Sequence, residues 1–386
     1  MRIVLLCCDP FAGVAESLGC SVRLRSLAEA LVHAGHTVAA ISASADASTP
    51  GSDLAGFEIR PLRLPVTVRE IDWHLSRLQP DLVIERMLPF LHEGAQAAAE
   101  AGIPHVYDLA TPFAIDRDET RDLVAATAHA LHLTSGVLAG SSSVARWVNA
   151  IATSTLPVTV LPGAAGPQFL RPVTPAAIRS VEQRLRLGSG EFRVGFLGSC
   201  TAESGVLELV RAIGEIAKVR PARLVIMGDG PLRNVILRES FEKGTPLVLC
   251  GNIAHDRVPA YLAACHALAI PGDRGDGYRA PLALYEGLAL ARPIVAVDTP
   301  AIAAVVRDGH DALLIGAGAG GALRDALLKL ANSPVLAASI GAEGRRTIDR
   351  GHTWDALAAR AIRFAKELPA RTLSAGEEPL QRVSSR

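Results

Sequence analysis

Twice along this chain, short continuous apolar runs alternate with segments whose apolar residues recur at helical spacing. That alternation constrains the fold more than any other feature. Strands interleaved with helices pair in parallel, and the helices then cover both faces of the sheet. In the first set, strands are expected at Ile3–Cys8, Thr37–Ile41, Leu82–Ile84, His105–Asp108 and Gly136–Ala139. Helices are expected between them over Ser21–Ala34, Val68–Leu78, Leu91–Ala101, Thr120–Leu133 and Ser142–Ile151. Gly35 sits where a helix C-terminus favours glycine.

The second set opens at Phe192. Its expected strands are Arg193–Leu197, Ala222–Met227, Leu247–Leu249, Ala267–Ile270 and Ile294–Val297. Helices follow over Val206–Val219, Leu232–Phe241, Val258–Ala264, around Glu286, and over Leu323–Asn332. A chain of 386 residues is long for one core and fits two domains. Only 4% of residues are aromatic while 49% are hydrophobic, so the core is built of Ala, Val, Leu and Ile. That suits buried parallel strands.

The expected division is a first domain over 1–162, a linker and start of the second over 163–190, and the second domain over 191–350. Pro157, Pro162, Pro167, Pro172 and Pro175 punctuate the linker and favour extended chain. A helix opening at Trp354 falls in 351–368, and the polar tail over 369–386 is expected to be disordered. The fold class is therefore α/β, with two Rossmann-like doubly wound domains facing a cleft. Ligands of such sheets lie beyond the carboxyl ends of the strands, so one substrate per domain is expected.

Several functions are excluded by what the residues lack. The 39 basic and 39 acidic residues give no net charge, and no basic tract marks a nucleic-acid partner. None of the six cysteines forms a Cys-x-x-Cys pair, and no histidine cluster stands at zinc spacing, so no structural metal is expected. The thiols read as reduced, in the cytoplasm, with Cys20 and Cys200 set apart by their places in loops after strands. Arg2–Cys8 reads as a first strand and not a signal peptide, because Asp9-Pro10 follows with no small-residue cleavage site. No apolar run reaches the roughly 18 residues of a membrane span. Oligomeric state leaves no trace in the sequence.

The most informative segment is Ala280–Ala296: a loop, a short helix with one carboxylate, Glu286, then Arg292-Pro293 and a buried strand, with a helix packed on a sheet and a solvated glutamate as its alternative reading. Glycine-rich Pro271–Gly277 precedes it. A small-residue loop opening a helix offers unpaired N–H groups to an anion, and a carboxylate one turn in can accept two ribose hydroxyls.

These residues, taken in order, resemble the retaining glycosyltransferases of the GT-B fold, family 4, which use nucleotide-diphosphate sugars. The resemblance runs to about residue 366. It is carried by Gly19-Cys20-Ser21-Val22-Arg23 with Leu27–Leu31 and Gly35–Val38, by Asp81–Arg86 with Ala101–Val106, and by Leu161–Phe169. Gly228-Asp229-Gly230-Pro231 and Gly251-Asn252-Ile253 continue it, and Thr353-Trp354 resembles the start of the terminal helix, over 351–368, that crosses back to the first domain.

The resemblance implies a glycosyltransferase that moves a sugar from a nucleotide diphosphate to a small acceptor with retention. It requires no metal or other cofactor, the sugar nucleotide being a co-substrate. Glu286 matches the ribose-binding second Glu of the family's E-x7-E motif, while Tyr278 stands where the first Glu touches the donor sugar. Gly19, Gly198, Ser199, Ser204 and the Tyr278-Arg279-Ala280-Pro281-Leu282 backbone would surround the diphosphate, and Ile253 and Ala254 would face the base. Ser199 and Ser204 replace the family's Arg and Lys, Ala280 and Ala283 replace Ser and Lys of a close motif variant, and His266 replaces an Asp.

Negative charge grows on a leaving diphosphate, so missing cations matter. Arg279 or Arg274 could supply that charge, or could be solvated loop arginines. On the acceptor side stand Glu85, Arg86, Asp108 and Thr111. Asp108 is the candidate to bond the acceptor or a sugar hydroxyl, with a loop or N-cap role as its alternative. For Glu85-Arg86 the alternative is an internal ion pair. A natural-product setting fits a member that has drifted, and a silent protein that binds a sugar nucleotide or supports a partner enzyme is the competing reading. Sulfur in place of oxygen as the nucleophile is a third.

Overall fold

A computed structural model describes residues 1–10, 19–43, 53–54, 56–113, 120–272, 277–318 and 320–370; for Gly19, Cys20, Asp53, Leu54, Thr120, Arg121 and Gly320 it describes the backbone alone. Arg274 and the polar tail from 371 lie outside the described residues. Contacts divide the chain into two units, Met1–Ala139 with Val144–Val160 and Ala358–Arg386, and Gly140–Ser143 with Leu161–Leu357.

The first unit runs β1 (Arg2–Cys7), α1 (Gly19–His33), β2 (Thr37–Ala43), β3 (Asp53–Leu54), β4 (Phe57–Leu62) and α2 (Val68–Leu78). It continues with β5 (Leu82–Arg86), α3 (Glu93–Glu100), β6 (His105–Leu109), α4 (Thr120–Leu133), β7 (Gly136–Ala139), α5 (Ser142–Ile151) and β8 (Val158–Val160). Among the described residues its sheet has the order β3-β4-β2-β1-β5-β6-β7-β8. All neighbours are parallel except the β3–β4 pair. Val4, Leu6, Ile41 and Val83 pack on Ala97 and Ala98 on one face. The alanines let α3 lie close to the strands.

The second unit begins with two helices inside the stretch expected to be extended, α6 (Pro167–Leu170) and α7 (Pro175–Arg184). Pro167 and Pro175 each sit in the first turn, where the missing N–H costs nothing, and Thr174 caps α7 by accepting from the Ala177 N–H. Proline there starts helices instead of preventing them.

Then come β9 (Phe192–Leu197), α8 (Val206–Ala217), β10 (Ala222–Met227), α9 (Arg233–Lys243), β11 (Leu247–Leu249), α10 (Val258–Ala263) and β12 (Ala267–Ile270). They are followed by α11 (Leu282–Ala289), β13 (Ile294–Val297), α12 (Pro300–Ala303), β14 (Leu313–Ile315), α13 (Gly320–Asn332) and α14 (Pro334–Asp349). The last helix, α15 (Trp354–Lys366), starts in the second unit and from Ala358 belongs to the first. The strand order is β11-β10-β9-β12-β13-β14, parallel throughout.

Alternate residues of β10 serve opposite faces of this sheet: Val225 and Met227 pack with Leu284 and Leu288, Leu224 and Ile226 with Leu209 and Ile213. The chain order reverses between β9 and β12, which in an open α/β sheet opens a crevice for ligand.

Candidate donor site

At that reversal the loops after β9, β10 and β12 press together through glycine. Gly228 (φ 146°) lies so close to the Gly198 carbonyl that a Cβ would overlap its oxygen. A side chain on Gly205 would overlap the backbone of Pro271 and Gly272, and one on Gly272 the backbone of Glu203 to Gly205. The Gly228 N–H also donates to the Gly251 carbonyl at 2.9 Å, tying in the loop after β11. The result is a rim of main chain, with Gly198 and Ser199 exposed on it.

Ser204 is half-buried, and its hydroxyl donates to the Thr201 carbonyl at 2.7 Å while accepting the Val206 N–H at 3.4 Å. It thus shapes the turn into α8. Cys200, flagged from sequence, is fully buried in this loop, and burial pushes its thiol up to about 11. At neutral pH it is no nucleophile. The side chain of Cys20 is outside the described residues.

Helix α11 supplies the acidic group. Every residue from Ala283 to Ala289 is buried, so this helix is apolar all round apart from Glu286. Glu286 is 5% exposed, and a carboxylate so placed is costly unless hydrogen-bonded. Among the described residues its partner is His255, whose Nε2 stands 2.7 Å from Oε1. Gln168, in α6, places its amide nitrogen 3.1 Å from Nδ1 of the same ring, and Phe169 packs against that ring at 5.2 Å between centroids. Neither His255 nor Gln168 stood out in the sequence.

Of the other expected donor residues, all but Gly19 belong to the second unit. Pro281 is the N-cap of α11 and Leu282 its first residue, with the Leu284 N–H returning to the Pro281 carbonyl at 3.0 Å. Ala280 is buried, Tyr278 half-buried and Arg279 exposed. Ile253 is half-buried and Ala254 exposed in the loop that carries His255. Gly19 opens α1 in the first unit. His266, at the family's Asp position, accepts the Arg193 N–H at Nδ1, 3.0 Å away. Burial first, and the guanidiniums of Arg193 and Arg292 next, push its imidazole down to about 4.

On the first unit three of the expected acceptor residues, Glu85, Arg86 and Asp108, are engaged internally. Asp108 is 5% exposed and gripped by Arg23: Nη2 reaches Oδ1 at 2.7 Å and Nε reaches Oδ2 at 3.0 Å. That two-pronged pair supersedes a loop or N-cap role. Glu85 and Arg86 do not pair with each other. Glu85 is buried with Oε2 at 2.9 Å from His105 Nε2, and the Cys8 thiol lies 3.8 Å from Oε1. Arg86 pairs with Asp9 at 3.4 Å, and Thr111 is half-buried. Asp108 and Arg279, the two groups expected to act in catalysis, lie one in each unit.

No group of three or more His, Cys, Asp or Glu able to hold a metal occurs among the described residues, and no described helix is long and apolar enough to cross a membrane.

Residues 191–333 match the family described as Glycosyl transferases group 1. An uncharacterized glycosyltransferase of Methanocaldococcus jannaschii is 24% identical over 180 residues, 45% of this chain and 48% of that protein. The chain spans about half the length of that curated relative. Among solved structures, the sucrose-phosphate synthase of Thermosynechococcus elongatus superposes with a TM-score of 0.78 at 18% identity, over 95% of this chain and 98% of the other. Anabaena HepE in complex with UDP gives 0.76 at 17% identity, over 95% and 100%. The chain therefore has two parallel α/β units with the GT-B fold, and it is in residues 191–333 that it matches the Glycosyl transferases group 1 family.

Proposed function

We propose that this chain is a glycosyltransferase that takes a sugar from a nucleotide diphosphate and passes it to a small acceptor with retention of configuration. The observation that carries the reading is Glu286, a single buried carboxylate in an apolar helix beside the strand-order reversal. Anabaena HepE has been solved with UDP and with UDP-glucose, which supports a nucleotide sugar as the donor class. The ribose would lie on Glu286, the base against the Ile253-Ala254 backbone, and the diphosphate along the rim at Gly198 and Ser199 and the start of α11.

The donor needs charge compensation as its leaving group departs. Main-chain N–H groups and the Ser199 hydroxyl supply neutral donors, and Arg279 adds a cation from the exposed end of the β12–α11 loop. Retention follows if the acceptor proton passes to the leaving phosphate oxygen on the face that the sugar keeps, so no metal and no protein nucleophile are needed. Specialised small-molecule metabolism in the cytoplasm is the setting proposed.

Calorimetric titration with nucleotide diphosphates tests the donor assignment. Glu286→Ala is expected to weaken binding by about 1.5–3 kcal/mol, the range for a hydrogen bond to a charged group. Binding as tight as the parent's sinks the assignment. A silent binding protein is the second reading, favoured by two observations: Asp108 is held by Arg23, and the Ser204 hydroxyl is spent within its own loop. Release of free nucleotide diphosphate from a bound sugar nucleotide, with sugar appearing on an acceptor, decides for the enzyme.

A further inference from the structure

Glu286 can serve a ribose only if its carboxylate is held still. A glutamate side chain loses up to about 1.5–2 kcal/mol of rotamer freedom when fixed, and a site that has already lost it binds more tightly than one that must order on contact. What holds this one is a relay of two side chains from distant parts of the chain.

Gln168 lies behind the histidine. A Cβ at Gly166 would overlap the Gln168 amide, so the glycine leaves room for that side chain to fold back over the start of α6. With the amide N–H₂ donating to Nδ1 at 3.1 Å, the ring proton sits on Nε2 and donates to Glu286 Oε1 at 2.7 Å. The Phe169 ring, tilted 52° against the imidazole, limits its swing. A carboxylate offers about four acceptor positions. His255 takes one and leaves the others for hydroxyls.

We propose that His255 is a positioning residue for the donor's ribose: backed by Gln168, it fixes the Glu286 carboxylate where it accepts from the ribose hydroxyls, and so sets the site's preference for ribonucleotides over 2′-deoxyribonucleotides. This rests on the reading of Glu286 as the ribose ligand. A histidine that only neutralised or packed a buried carboxylate would support folding and would affect both nucleotide forms equally. One that orients the carboxylate acts on the hydroxyl-dependent part of binding alone.

The experiment is calorimetric titration of the full chain with UDP, GDP, ADP and CDP, then of the tightest binder against its 2′-deoxy counterpart. The parent is expected to prefer the ribose form by about tenfold or more, as loss of a hydrogen bond to a charged group predicts. Glu286→Ala removes that preference. His255→Phe keeps a ring packed against Phe169 without the donor and cuts the preference to within about threefold, while His255→Gln restores the donor and most of the ratio. Gln168→Leu is expected to fall between parent and His255→Phe, and it carries the test if the Phe variant does not fold.

If Glu286→Ala loses the preference while His255→Phe and Gln168→Leu keep it, the positioning role is wrong and the ribose assignment stands. Equal weakening of both nucleotide forms in His255→Phe likewise overturns positioning in favour of packing. If Glu286→Ala keeps the preference, or none of the four nucleotides binds the parent, the ribose assignment itself falls and takes this inference with it.

Discussion

At the carboxyl ends of the strands in the first unit, Glu85 and Asp108 each face a polar partner inside the protein, His105 and Arg23. In the second unit the corresponding ends carry glycines, Ser199 and the loop to Arg279, and the nearby buried carboxylate is wired to a histidine that is itself half-exposed. The two units share an architecture and use their charges differently. A carboxylate clamped by both prongs of a guanidinium has most of its acceptor capacity committed before any ligand arrives. One that accepts a single hydrogen bond still has capacity to offer. Glu85, bonded to His105 on one oxygen with the Cys8 thiol near the other, is closed off further by its burial, so internal partners and access together say which polar residues at strand ends remain available.

The strongest attack on this contrast is Arg23→Met. It leaves Asp108 buried and without its guanidinium, and is expected to cost about 3–5 kcal/mol in urea unfolding, the range for breaking a buried ion pair from one side. A loss below about 1 kcal/mol would mean that water or a ligand reaches Asp108, and the contrast would fail.

Gly228→Ala probes the second unit by the opposite route. The added methyl meets the Gly198 carbonyl in a conformation that favours glycine, and should cost about 1–3 kcal/mol of stability. Because the displaced carbonyl belongs to the rim, nucleotide affinity should fall more than tenfold in calorimetry. Parent-like affinity would show that the rim does not touch the nucleotide.

The smallest expected effect concerns His266. Between about pH 6.5 and 4 the unfolded chain takes up a proton at this ring that the folded chain declines. Its contribution is complete above about pH 6.5 and is lost as pH falls through that window. Solvent reaches the exposed edge of the ring, so the effect stays under about 1 kcal/mol. His266→Asn keeps an acceptor for the Arg193 N–H and should flatten that part of the pH–stability curve. An unchanged slope would remove His266 as its source.

Where strands are continuous apolar runs the sequence alone suffices: Ala222–Met227, Leu247–Leu249, Ala267–Ile270 and Ile294–Val297 form as expected. The short edge strands β3 and β8 show no such run, since a few residues on a sheet margin need little apolar surface. Strand β14, Leu313-Leu314-Ile315, is a run as apolar as β11 yet is not among the expected strands. Helix α14, not expected from the sequence, opens with Ser333-Pro334, a cap followed by a first-turn proline; Thr174-Pro175 is the same signal, and Pro167 follows Gly166 without a side-chain cap, both within a stretch whose prolines suggested extension.

The site divides similarly. Glu286 is legible because its loop, helix and Arg292-Pro293 are contiguous. Its supports are not, because Gln168 and His255 are 87 residues apart, as Arg23 and Asp108 are 85 apart. Local pattern cannot encode which distant side chains meet.

One practical consequence follows from the rim of main chain around Gly198, Gly205, Gly228 and Gly272. Contacts made by peptide groups do not depend on side-chain identity, yet Gly205, Gly228 and Gly272 have no space for even one added carbon. A mutagenesis library for new donor preference should hold these four glycines fixed and randomise Ser199, Tyr278 and Arg279, whose side chains can change without rebuilding the scaffold that presents them.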